Sequence, residues 1–187
     1  MTPSFPASRT RLRPLLLTAF TAALLSACAG SPPRPPIQTA ANVDLPRFMG
    51  DWYVIAYTPT FIDKDGYNQI ESYKLNEDGT VATTFTFRDG GFDGKPKKYQ
   101  PKGFVVPGTN NAEWGMQFIW PFKGEYLITE LADDYSSVVI ARNKRDLVWL
   151  LARKPQMSDA DYQRHLDRIA AMGYDLSKVK RVPQQWP

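Results

Sequence analysis

The sequence predicts an all-β protein, an eight-stranded up-and-down antiparallel barrel with one C-terminal α-helix packed outside it. Three observations lead there. Eight strand-like segments follow one another at hairpin spacing, separated by turn residues. Several of them alternate large apolar residues with polar ones, so one face of each must be buried. Only one amphipathic helix is available to cover those faces, and closing the sheet on itself hides them and removes its edges.

The chain has 187 residues, and the first 27 read as a lipoprotein signal peptide. Arg9, Arg11 and Arg13 form a basic stretch, and an apolar run follows over 15–25. That run is too short for a permanent span, which needs about 20 apolar residues. It ends in Leu25-Ser26-Ala27-Cys28, and Cys28 is the only cysteine. Small residues before a lone thiol fit a lipobox, in which the cysteine is acylated and becomes the first mature residue. Residues 28–42 then comprise the acylated cysteine and a tether, extended by its Ser31-Pro32-Pro33-Arg34-Pro35-Pro36 composition. Residues 43–187 form the barrel domain.

The whole chain carries 23 basic and 19 acidic residues. Three of the basic residues and none of the acidic ones precede Cys28, which leaves 20 against 19 in the mature protein. A nearly neutral chain without a concentrated basic surface is not expected to bind nucleic acid. Lys95, Lys97, Lys98 and Lys102 gather around one loop and read as a solvated face. With no second cysteine there is no internal disulfide, so apolar burial must carry the stability.

The barrel domain opens with a short helical turn, capped by Asp44 with Pro46 in its first turn. Gly50 then lets the chain turn tightly into the first strand. The strands are expected over 52–58, 69–75, 81–87, 98–106, 113–120, 126–131, 137–142 and 147–153. Turn chemistry separates them at Asn76-Glu77-Asp78-Gly79, Asp89-Gly90-Gly91, Pro107-Gly108, Lys123-Gly124, Asp133-Asp134 and over 143–146. The longest connection, 58–67, lies near the open end. Alternation is strongest for Trp114, Met116, Phe118 and Trp120. Val81, Thr83, Phe85 and Phe87 repeat it, as do Leu147, Trp149 and Leu151. Ser158 opens the helix with Asp161 three residues on, Tyr162, Leu166 and Ile169 line one face, and Gly173 stops it. Residues 178–187 are expected to return over the surface as a short extra strand or tail.

Catalytic chemistry has little to stand on. The single histidine, His165, falls mid-helix among charged neighbours and reads as a surface residue. One histidine and one consumed cysteine build neither a metal site nor a nucleophilic dyad, so no metal and no cofactor is expected. No glycine-rich phosphate loop opens a helix. The informative feature is the barrel itself, whose interior is either filled by side chains or holds one small ligand.

Gly50-Asp51-Trp52-Tyr53 at the first strand, Asp134-Tyr135 at a late turn and Arg153 closing the last strand resemble the lipocalin family. The stretches Trp120-Pro121-Phe122-Lys123-Gly124-Glu125-Tyr126 and Leu150-Leu151-Ala152-Arg153-Lys154-Pro155 resemble its bacterial outer-membrane lipoproteins. Asp133 departs from the threonine that many members place before Asp-Tyr. The resemblance implies a carrier of fatty acids or lysophospholipids, with a role in membrane maintenance or stress. It also implies attachment through Cys28 to the outer membrane of a Gram-negative bacterium, facing the periplasm, and it admits a homodimer. Gly50, Trp52 and Arg153 would close the narrow end, the guanidinium lying on the indole. The strand registers then draw the cavity wall from Tyr73, Phe85, Trp114, Met116, Phe118, Tyr126, Ile128, Val139 and Trp149, with Glu71 and Glu130 also facing inward. Two alternatives remain, an assembly lipoprotein with a solid barrel and a lipid-acting enzyme using Glu71 or Glu130.

Overall fold

The computed structural model describes residues 1–3 and 34–186. Cys28, the basic and apolar stretches before it and the start of the tether, up to residue 33, lie outside the described residues. The chain divides into Met1–Pro35 and Pro36–Pro187, and the second unit holds the barrel.

Strands β1 (Gly50–Tyr57), β2 (Gly66–Leu75), β3 (Thr80–Asp89), β4 (Lys95–Tyr99) and β5 (Lys102–Val105) lead into β6 (Glu113–Ile119), β7 (Phe122–Leu131), β8 (Ser137–Ala141) and β9 (Trp149–Ala152). Each pairs antiparallel with its neighbour, and β9 returns to β1, with Tyr53 opposite Ala152 and Tyr57 opposite Trp149. Strands β4 and β5 both pair with β3 and form two halves of one stave, so the closed barrel has eight. They are parted at Gln100-Pro101, where proline has no N–H to give the ladder. A short β10 (Lys180–Arg181) joins β1, and the tail beyond it is stitched to Val54 and Gln69 through Gln184.

One turn differs from its expected place. The β6–β7 connection is Trp120-Pro121, with Ile119 opposite Phe122, so Lys123 and Gly124 lie within β7 rather than at the bend. Pro121 cannot continue a ladder, which puts the tip there.

Two cores result. The barrel interior gathers Val54, Tyr73, Val81, Trp114, Tyr126, Val138, Ile140 and Leu151. The second lies outside the wall, where α2 (Asp159–Ala171) presents Ile169, and the following Tyr174, to Ile55, Leu127, Val139, Leu150 and Ala152. Ser158 caps α2 by accepting from the Asp161 amide at 3.1 Å. His165 is buried on this helix, against expectation, because it lies four residues before Ile169 on the same stripe. Burial, with Arg164 and Arg168 beside it, lowers its pKa.

A four-residue helix, α1 (Leu45–Phe48), closes the narrow end, with the Asp44 side chain accepting from the Arg47 amide. Phe48 enters the barrel and packs on Trp52, Trp114 and Tyr73 at ring-centroid distances of 5.1, 5.4 and 5.6 Å. The Asp134-Tyr135 turn locks this helix from outside. The Tyr135 hydroxyl accepts from the Asp44 amide at 2.8 Å, and the Arg47 guanidinium lies 4.1 Å above its ring.

Candidate ligand cavity

The closed half of the barrel is solid. Trp52 is fully buried, and its indole donates to the Phe48 carbonyl at 2.8 Å. Arg153 lies over that ring at 3.8 Å and donates to the carbonyls of Asp51, Arg47 and Phe48. Gly50 adopts φ +93°, and a Cβ built there would stand 3.4 Å from the guanidinium. Above Trp52, Trp114 stacks on Tyr126 at 5.5 Å and donates to the Asn111 carbonyl.

The other half is open. A cavity of about 350 Å³ is lined by Glu71, Thr83, Phe85, Met116, Tyr126 and Trp149, with Phe61, Ile62, Phe118, Ile119, Phe122 and Leu147 toward the mouth. Of the residues expected in its wall, Phe85, Met116, Phe118, Tyr126 and Trp149 line it. Tyr73, Trp114 and Ile128 are interior but lie among the packed core rather than on the cavity surface.

Val139 is on the other side of the wall, in the core beneath α2. Its neighbours Val138 and Ile140 are the inward residues, one position from the expected register. Glu130 is also outside, paired with Arg168 of α2. The ladder between β7 and β8 shifts between Ile128 and Leu131, and this bulge carries Glu130 across the wall while Leu131 turns inward. Of the exposed apolar mouth, Phe118 is among the residues expected in the cavity, and Phe61 and Ile119 are not. Phe61 lies in a loop and Ile119 is out of step with the alternation, while Trp120, which continues it, is exposed at the tip instead of buried.

Glu71 does face inward. Its carboxylate accepts from the Tyr73 hydroxyl, which lies 2.6 Å from that of Tyr126. Removal from water, and then the field of Asp63, pushes the Glu71 carboxyl up to about 8. It still meets water through the open cavity, being only partly covered. Burial, followed by the Glu71 charge, also raises Tyr126. Around neutral pH the cavity floor therefore offers a largely protonated acid and the Tyr126 phenol, with Tyr73 packed behind them, in a chamber of mainly apolar lining. Among the described residues, no three His, Cys, Asp or Glu side chains gather to hold a metal.

A closed eight-stranded barrel, plugged at one end and open to an apolar chamber at the other, defines a container for a small hydrophobic molecule. The lipocalin-like domain model matches residues 43–184, and the chain belongs to that family. It is 28% identical over 177 residues to the outer membrane lipoprotein Blc of Escherichia coli K12, covering 93% of this chain and 98% of that protein. It is 29% identical over 160 residues to temperature-induced lipocalin-1 of Arabidopsis thaliana, covering 79% and 83%. Among solved structures, insecticyanin from the tobacco hornworm Manduca sexta superposes with a TM-score of 0.61 at 15% identity, covering 82% of this chain and 86% of that one. That likeness is one of fold.

Proposed function

We propose that this protein carries a single-chain lipid, a fatty acid or a lysophospholipid, while held through acylated Cys28 at the outer membrane of a Gram-negative bacterium, facing the periplasm. The cavity carries the reading. A chamber of about 350 Å³ with a mainly apolar lining is of a size to take an acyl chain entering from the mouth. Burial already disfavours a negative charge at Glu71, and a second one beside it would be disfavoured too, so this reading puts an anionic headgroup at the mouth. The likeness to a bacterial outer membrane lipoprotein over nearly its whole length supports the location.

Native mass spectrometry of gently purified protein tests the cargo, since a carrier retains copurified lipid of one chain per molecule. Protein that flies only as the bare polypeptide, from membranes rich in such lipids, contradicts it. Intact-mass measurement of the mature N-terminus reads the anchor directly, and Cys28→Ala removes the acyl mass.

The solid-barrel reading describes the closed half of the interior, and the open half departs from it. The lipid-acting enzyme loses one of its two acids, because Glu130 lies outside the wall.

A further inference from the structure

The β6–β7 tip is a concentration of exposed large apolar side chains. Ile119, Trp120 and Phe122 are 72%, 82% and 76% exposed, and Phe61 on the facing β1–β2 loop is 90% exposed. All four stand at the open end, three of them on the cavity mouth. Such a rim is costly to leave in water and marks a contact surface. Its composition, tryptophan with phenylalanine, is the one that settles at membrane–water boundaries. The neighbouring β8–β9 loop adds an exposed cation, Lys144, of the sign that anionic headgroups attract.

A second observation fixes where the chain leaves the barrel. Val43 donates to the Asn110 carbonyl at the closed end, Ala40 to Ile128 midway, and Ile37 to the Asn143 side chain in the β8–β9 loop at the open end. Traced back toward its start, this segment climbs the wall toward the mouth. Ile37 lies nine residues beyond Cys28, a reach of at most about 32 Å. Ten-residue strands such as β7 make the wall itself about 25–30 Å tall. A tether leaving beside the mouth would spend nearly all its reach returning to the closed end.

We infer that the open mouth docks on the bilayer that holds Cys28, with Trp120, Phe122 and Phe61 seated at the headgroup–acyl boundary. The occupant of the apolar rim is the lipid surface itself. A single-chain lipid could then pass between leaflet and cavity without crossing bulk water. The inference rests on the anchored-carrier reading and adds the direction the cavity faces.

The test uses the full mature acylated protein in vesicles of phosphatidylethanolamine and phosphatidylglycerol. With Cys28 acylated, W120C supplies the only free thiol, and E77C in the β2–β3 turn supplies one at the closed end. Each is labelled with an environment-sensitive fluorophore and read against vesicles whose acyl chains carry bromine. The expected result is a blue shift and loss of most of the emission at position 120, with neither at position 77. F61C repeats the measurement should W120C fold poorly. An aqueous probe at position 120 overturns the docking while leaving lipid binding in solution untouched. Quenching at position 77 instead overturns it as well. Shielding from aqueous quencher without bromine quenching assigns the rim to a second copy or another protein, and also overturns it. Protein that fails to float with the vesicles removes anchor and docking together.

Discussion

Arg153 lies 3.8 Å above the ring of Trp52, and both side chains donate to one acceptor, the Phe48 carbonyl. The first stave, the last stave and the plug helix thus meet at one oxygen. The guanidinium is also desolvated there, which lowers its pKa against the weaker opposing pull of Asp51. Its charge is shared out among three carbonyls rather than neutralised by a close carboxylate.

Trp52→Ala is expected to cost about 3–5 kcal/mol, since it empties a fully buried site. Arg153→Ala should cost less. A double-mutant cycle in urea should show a coupling of about 0.5–2 kcal/mol. Additive effects would mean that stack and shared carbonyl contribute nothing jointly.

This relationship was legible in the sequence because it rests on residue types that few other arrangements require. Gly50, Trp52 and Arg153 sit at fixed places, the ends of the first and last staves. The strands with alternating faces, β3 and β6, were legible for the same kind of reason. Strand β8 was not. Ser137-Val138-Val139-Ile140-Ala141 is buried on both faces, the interior on one and α2 on the other, so no alternation marks its inward side. Glu130 was misread because a bulge has no signature in spacing alone. His165 reads as exposed because its sequence neighbours are charged, yet it lies four residues before Ile169 on the buried stripe.

Val139→Ala should therefore lower stability by about 1–3 kcal/mol through the α2 interface while leaving lipid affinity unchanged. Parallel denaturation and binding titrations check both halves. A weakened affinity with unaltered stability would return Val139 to the cavity.

Glu71 predicts a pH dependence of definite sign. Its carboxyl titrates near 8 when folded against an ordinary value near 4.5. Between those values the folded state holds the extra proton, so stability falls as pH rises through this window and levels off above it. Glu71→Gln keeps the shape without the charge. Melting temperatures of wild type and E71Q, measured from pH 5 to 9, should diverge as pH rises, the variant becoming the more stable. Curves that stay parallel would show that Glu71 ionises without penalty.

Occupancy of the cavity is the central claim, and melting of delipidated protein with added lipid tests it most directly. A lysophospholipid or fatty acid of roughly micromolar affinity, supplied at about a hundred times Kd, should stabilise the fold by about 2.7 kcal/mol. Met116→Trp, which places a larger ring on the cavity wall, should weaken long chains more than short ones and leave the circular dichroism unchanged. No shift with either lipid class, in protein shown to be folded and free of lipid, would contradict the account and leave a barrel that carries nothing.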